Sequence, residues 1–255
     1  MKAVELAARD SWSNTTIPYL FNRTIIEYDM KRAGLSLIKE YQLLPPETIQ
    51  KIENHRTKYE QDVIIGQIER KDKKLVEAKK QAFSSVREKF YYLNDLEDIE
   101  IIDIRKDAIF TTRTCNVTKL SNYIEFRPKN TYTSFLRVGK QKIELFYRSP
   151  DQIDVKGIND TKVPLHTNGM LEFYATFFRK MESGNVEDTI RFLRRTIDQY
   201  KNLMLPIDYY REFNANSNYR TLREELADDY WEENKDELDI RYNYNLLCML
   251  AKIVI

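Results

Sequence analysis

Apolar positions in this chain change their period from one region to the next, and the changes divide it into elements. Residues 24–28 form a short β-branched run that predicts a buried strand, and residues 35–41 take up helical spacing that stops near Leu44-Pro45-Pro46. Residues 47–92 keep a helical period with breaks near Ile64-Ile65-Gly66 and at Arg70-Lys71-Asp72-Lys73-Lys74, which predicts an antiparallel pair of helices. Apolar runs at 99–104 and 108–112, separated by Arg105-Lys106-Asp107, have the spacing of a hairpin with Asp107 at its turn. Further strands are predicted at 123–127, 132–138 and 142–148, with a connecting turn at 138–141. Beyond Asp151 the helical period returns at 170–181 and 186–203, with Gly184 between and Pro206 after. The pattern is therefore α+β: a helical insertion between two strand regions, a mostly antiparallel sheet, and a helical C-terminal region.

Composition narrows the class of protein. A chain of 255 residues suffices for one large domain or two small ones. A charged fraction of 32% balanced at +1 excludes a uniformly basic coat, but it leaves room for a basic cleft offset by acidic surface. Charge is locally uneven: residues 51–89 hold eleven Lys and Arg against seven acids, whereas 224–239 holds nine acids and one base, Lys235. Cys115 and Cys248 are far apart in the chain, and His55 and His166 lack partners at ligand spacing, so neither a structural zinc site nor a disulfide framework is expected, and a reducing cytoplasm is. Acids interrupt the apolar stretch at the N-terminus, and no window approaches eighteen uninterrupted apolar residues, so neither a signal peptide nor a membrane span is expected. Seventeen tyrosines, abundant Ile, Lys and Asn, and six glycines suggest an AT-rich coding genome such as many bacteria and their phages have.

Candidate chemistry comes from the strand ends. Ile25-Ile26-Glu27-Tyr28 leads into Asp29, and Ile101-Ile102-Asp103-Ile104-Arg105-Lys106 leads into Asp107. Either aspartate alone is most simply a turn former or helix cap. If the two strands are neighbours, the two carboxylates can share metal ions, which is the minimal equipment for two-metal phosphoryl transfer. Hard divalent ions prefer oxygen ligands, so the scarcity of His and Cys does not count against such a site.

The order of strand with acid, helical insertion, and hairpin with acid resembles the palm of a template-directed polymerase, and the local match is closest to family B DNA polymerases. Asp29-Met30-Lys31-Arg32-Ala33-Gly34-Leu35-Ser36-Leu37-Ile38 aligns without a gap with that family's first motif. Arg105-Lys106-Asp107-Ala108-Ile109-Phe110 aligns with its Asp-Thr-Asp-Ser motif, with Asp107 at the second aspartate and Arg105 at the first. Lys140-Gln141-Lys142 looks like the family's basic primer-template contact, and Ile153-Asp154-Val155-Lys156-Gly157-Ile158 like the element that leads toward its thumb. Leu205-Pro206-Ile207-Asp208 onward has the character of a thumb segment. The fingers motif is the departure, since Lys80-Gln81-Ala82-Phe83-Ser84-Ser85-Val86-Arg87 keeps little of it.

The resemblance implies a palm at 1–44 and 93–160, a fingers-like insertion at 45–92 and a thumb-like region at 161–255. It implies a template-directed nucleotidyltransferase without an exonuclease domain that uses two Mg²⁺ ions to extend a primer. Asp29 and Asp107 would be the catalytic metal ligands, completed by the backbone carbonyl of Met30. Arg70, Lys73, Lys74, Lys79, Lys80 and Arg87 would hold triphosphate. Gly34 stands where the family usually sets a tyrosine against the sugar, which would leave room for a ribonucleotide. Lys140, Lys142, Lys156 and Gly157 would contact the backbone of the nucleic acid. The implied partners are a primer-template, nucleoside triphosphates and a protein supplying missing functions, in the host cytoplasm if the chain is phage-encoded, with no membrane. Two alternatives stand beside this: an inactive polymerase-like scaffold that binds nucleic acid or a partner protein, and a phage structural or host-interaction protein.

Overall fold

A computed structural model describes residues 3–138, 143–149, 152–157, 168–210 and 241–254. The described residues are mixed α and β, with two antiparallel sheets and seven α-helices. They divide into two compact units, the first drawn from 1–18 and 24–131 and the second from 19–23 and 132–255.

The first unit is built on a five-stranded sheet. Its strands are β1 (Ser11–Ser13), β3 (Ile25–Met30), β4 (Ile101–Arg105), β5 (Ala108–Thr111) and β6 (Phe126–Tyr132), in the order β1-β4-β5-β3-β6. The strand between β1 and β3 in the chain, β2 (Tyr19–Leu20), belongs to the other sheet. Both β3 and β4 pair antiparallel with β5, so they run in the same direction with β5 between them. The chain from β3 to β4 carries four helices: α1 (Ala33–Glu40), α2 (Pro46–Glu53), α3 (Lys58–Lys71) and α4 (Lys73–Leu93). This is a split β-α-β arrangement, in which a helical crossover leaves room for the hairpin strand to slip in beside the first strand. Pro128, which has no amide hydrogen to give a ladder, sits in β6 at the edge of the sheet.

Alternation along β3 separates structure from chemistry. Ile26, Tyr28 and Met30 join a buried cluster with Ile104, Ile109, Phe126 and the α4 residues Ala82, Val86 and Phe90. Each fully buried large apolar side chain contributes about 1.5–3 kcal/mol, so this face fixes the register of the sheet. Glu27 and Asp29 fall on the opposite face because side chains alternate along a strand.

The insertion contains three helices from 46 to 93 rather than the expected pair. Ile64-Ile65-Gly66 does not break the period; Ile65 is buried with Leu35, Ile38 and Ile52, and that packing carries α3 through the glycine. The break falls at Asp72, whose carboxylate accepts from the amides of Lys74 at 2.9 Å and Leu75 at 3.1 Å and caps α4.

The second unit holds an antiparallel sheet in the order β2-β7-β8-β9, with β7 (Ser134–Val138), β8 (Ile143–Arg148) and β9 (Gln152–Lys156). The expected palm segment 93–160 is therefore shared between two sheets. The cause is visible in β8: Ile143, Leu145 and Tyr147 pack with Phe173, Phe177 and Phe178 of α5 (Asn168–Glu182), a partner the strand pattern alone does not name. The helices α6 (Val186–Lys201) and α7 (Arg241–Val254) close the same core through Leu193, Tyr200, Leu247 and Leu250. Sequence periodicity missed β1, β2, β9 and α7, and the strand expected at 123–127 begins only at Phe126 and runs on as β6. The acidic run 224–239, residues 139–141 of the expected turn and residues 211–219 of the thumb-like segment lie outside the described residues.

At Gly169 a Cβ would come within 2.7 Å of the Asp208 carbonyl carbon and the Tyr209 nitrogen. Gly169→Ala therefore forces the helix away from the backbone turn at Ile207–Tyr209, and we expect it to destabilise the second unit by about 1–3 kcal/mol in urea denaturation.

Candidate functional site

Backbone pairing sets the two predicted aspartates side by side. Asp29 is in register with Ala108, and the amide of Met30 donates to the carbonyl of Asp107 at 3.0 Å. Asp107 sits in the turn joining β4 to β5, where the preceding Lys106 adopts a left-handed φ of 49°. This turn is tied down from below. The Lys106 amide donates to the Asp10 carbonyl at 2.8 Å, and the Lys106 carbonyl accepts from Arg87 Nη1 at 2.8 Å.

Arg87 is 1% exposed and also donates from Nε to the Ala7 carbonyl at 2.8 Å and from Nη2 to Asp10 Oδ1 at 3.0 Å. The expectation that it holds triphosphate is corrected: its guanidinium is committed to the fold, and it acts by anchoring the turn that presents Asp107. A helical arginine with apolar neighbours gives no sign in sequence that it is buried.

The face that carries Asp29 also carries Glu27, which is 2% exposed. From β6, Lys129 Nζ reaches Glu27 Oε1 at 3.5 Å and Asp29 Oδ1 at 4.0 Å, while Asn130 Nδ2 donates to Glu27 Oε2 at 2.5 Å. Burial raises the Asp29 carboxyl above its ordinary range; Lys129 opposes the shift, and the charges of Asp107 and Glu27 add to it. Arg105, at the position where the resemblance expects an acid, pairs with the buried Asp103 of its own strand. Sequence reasoning missed Glu27, Lys129 and Asn130. The available signal was Glu27 two residues before Asp29, while Arg127-Pro128-Lys129-Asn130 is too polar to read as a strand.

A cavity of about 300 Å³ opens beside Asp107, lined among others by Asp10, Gly34, Lys79, Lys80, Phe83 and Lys106. Of the predicted nucleotide-binding residues it gathers Gly34, Lys79 and Lys80, with Lys106 as an addition, and Lys79 is paired with Glu69 on its wall. Arg70, Lys73 and Lys74 are exposed around the junction of α3 and α4 and do not line it. Gly34 lies within α1 and is not among the residues with positive φ, so the backbone does not require a glycine. A Cβ there would meet Ile65 Cδ1 at 3.6 Å, Lys79 Nζ at 3.8 Å and Asp62 Oδ1 at 3.9 Å, which is ordinary contact. What the glycine provides is space.

Of the expected nucleic-acid contacts, Lys140 and Lys142 lie outside the described residues. Lys156 ends β9, and Gly157 follows with φ of 88°, a conformation that favours glycine. Both belong to the second unit. Nearby, burial alone would raise Asp154, yet hydrogen bonds from Tyr132 at 2.7 Å and Arg148 at 2.8 Å hold it below the usual carboxylate range.

The donor set suits a hard divalent cation. Mg²⁺ is commonly held by one or two carboxylates plus substrate phosphates and water, rather than by an all-protein cage. Asp29 on β3 and Asp107 in the turn beside it are two such carboxylates, and among the described residues no group of three or more His, Cys, Asp and Glu is arranged as a cage. Cys115 offers no soft alternative, because burial pushes its thiol up to about 12.

The sequence pattern described as Bacteriophage PBS1 gene 130 protein matches residues 2–255. The chain belongs to this family. The gene 130 family is thus a phage family by its description, and it covers both units. No curated protein matches the chain. Within this gene 130 family member, no helix among the described residues is long and apolar enough to cross a membrane.

Two outcomes follow from the electrostatics. Arg87→Leu removes the buried guanidinium that ties the Ala7 and Lys106 carbonyls and the partly exposed Asp10 together, and is expected to cost about 1–3 kcal/mol in chemical denaturation. For Asp29 the folded chain holds its proton more tightly than the unfolded chain, whose carboxyl titrates near 3.8. Stability therefore falls as pH rises through the window just above that value, and the loss persists at neutral pH. Asp29→Asn should melt a few degrees higher than the native chain at pH 7, with the difference gone by about pH 3, read by circular dichroism.

Proposed function

We propose that this chain is a template-directed nucleotidyltransferase, similar to a family B DNA polymerase palm, that extends a primer with nucleoside triphosphates. The observation that carries this reading is that Asp29, near the end of β3, lies beside the β4–β5 turn that holds Asp107, with the helical insertion between them in the chain and its Lys79 and Lys80 on the cavity beside Asp107. Two Mg²⁺ ions bound there would activate a primer hydroxyl and neutralise the triphosphate. The chain's own part is to aim the two carboxylates, which the β3–β5 register and the Arg87 anchor do, and to supply cations along the triphosphate path. Lys79, Lys80 and Lys106 suit that second task, since negative charge must be balanced while a phosphoryl group transfers. Asp29 and Asp107 would be the metal ligands, with the Met30 carbonyl as a third oxygen. Lys140, Lys142, Lys156 and Gly157 would track the backbone of the primer-template, a contact that is independent of sequence and weakens with salt. The space left by Gly34 supports acceptance of ribonucleotides. The site of action would be the cytoplasm of the host.

A second reading is favoured by Arg105, which stands paired with Asp103 where the resemblance expects an acid. On that reading the unit is a polymerase-like scaffold that binds nucleic acid or a partner protein without chemistry.

Primer extension in Mg²⁺, run in parallel with ribo- and deoxyribonucleoside triphosphates, separates the two. We expect extension with both sugars and its loss, by at least about a hundredfold, in Asp29→Ala and Asp107→Ala. Activity that survives both substitutions sinks the metal assignment. Salt-sensitive nucleic-acid binding without extension selects the scaffold.

A further inference from the structure

The carboxylates of the first unit already have a cation beside them. Lys129 Nζ stands 3.5 Å from Glu27 Oε1 and 4.0 Å from Asp29 Oδ1, at distances where it balances both charges without a tight hydrogen bond to either. The three side chains differ in burial. Those of Glu27 and Asp29 are 3% and 15% exposed, whereas that of Lys129 is 50% exposed. The acids are thus fixed by the sheet, and the ammonium rides on a flexible stem with a path to water. Asn130 holds the far oxygen of Glu27, so Glu27 stays in place when the ammonium moves.

A divalent cation on Asp29 and Asp107 would sit on the same carboxylate that Lys129 faces. Two cations sharing Asp29 repel one another, and the one that can leave at small cost is the half-exposed ammonium. Without Lys129, in turn, Glu27 and Asp29 would share one face of β3 with the cation that both approach removed.

We propose that Lys129 is the resident counter-ion of the acid pair and trades places with a divalent cation there, so that it sets the ion affinity of the site. This rests on the reading of Asp29 and Asp107 as ion ligands. Lys129 is a positioning and tuning residue in this account: it balances Asp29 when no ion is bound and withdraws toward solvent when one is.

The test is Mn²⁺ binding to the purified full chain, read from the electron paramagnetic resonance signal of free Mn²⁺ during titration. It compares the native chain, Lys129→Met, Lys129→Arg and Asp29→Asn, with folding checked by circular dichroism and the ion-induced rise in melting temperature as a second readout. Lys129→Met should bind Mn²⁺ about tenfold more tightly, because a competing cation is gone, and Lys129→Arg should stay within about twofold of the native chain, because the charge is kept. Asp29→Asn should lose the site. Binding by the native chain that is unchanged or weakened in Lys129→Met overturns the exchange and leaves the ion site standing. Absence of any Mn²⁺ binding that depends on Asp29 overturns the ion site itself, and the exchange with it.

Discussion

The pairing of β3 with β5 is the contact on which the rest of the candidate site depends. One backbone hydrogen bond, from the Met30 amide to the Asp107 carbonyl, closes the end of that ladder and brings together two acids that are distant in the chain. The pairing works against electrostatics, since it seats carboxylates next to each other on a half-buried face. Its stability comes from the other side of the sheet, where Ile26, Tyr28, Met30, Ile104 and Ile109 bury their side chains under α4. A one-residue slip would turn those apolar groups outward, so burial on one face imposes charge crowding on the other. Such a conflict between local comfort and global fold is characteristic of sites that do something besides hold a protein together.

How the crowding is tolerated says much about the unit. Lys129 and Asn130 reach in from the edge strand, and Asp103 takes Arg105 as its partner one strand away. The cavity beside Asp107 mixes signs, with Lys79 held to Glu69 while Lys80 and Lys106 complete its basic side. Charge on this surface is arranged in local pairs instead of a uniform field, which agrees with a chain whose net charge is only +1.

Much of this was legible in the sequence, for identifiable reasons. The strand that ends in Asp29 and the hairpin that carries Asp107 announced themselves through β-branched runs and a polar turn, and both stand in the structure. The residues that complete the site did not. Arg87 looks like any cation on an amphipathic helix, and only the meeting of α4 with the N-terminal segment makes it a buried anchor. Lys129 lies in a strand whose polar character is tolerated because β6 is at an edge. The second sheet was invisible as a separate body because strand patterns specify which side chains are apolar, not which surface will cover them. At Ile64-Ile65-Gly66 the glycine does not end the helix, because the buried Ile65 beside it packs with Leu35, Ile38 and Ile52.

The anchoring of Arg87 to Ala7 and Asp10 makes the beginning of the chain part of the site's foundation. Arg9, between those two contacts, is exposed. A trypsin-like protease cutting there would remove the Ala7 carbonyl from its covalent tether to Asp10 without cutting a strand. The hairpin would then lose part of its footing from a distance, because one of the contacts that seat Arg87 would no longer be joined through the chain to the other.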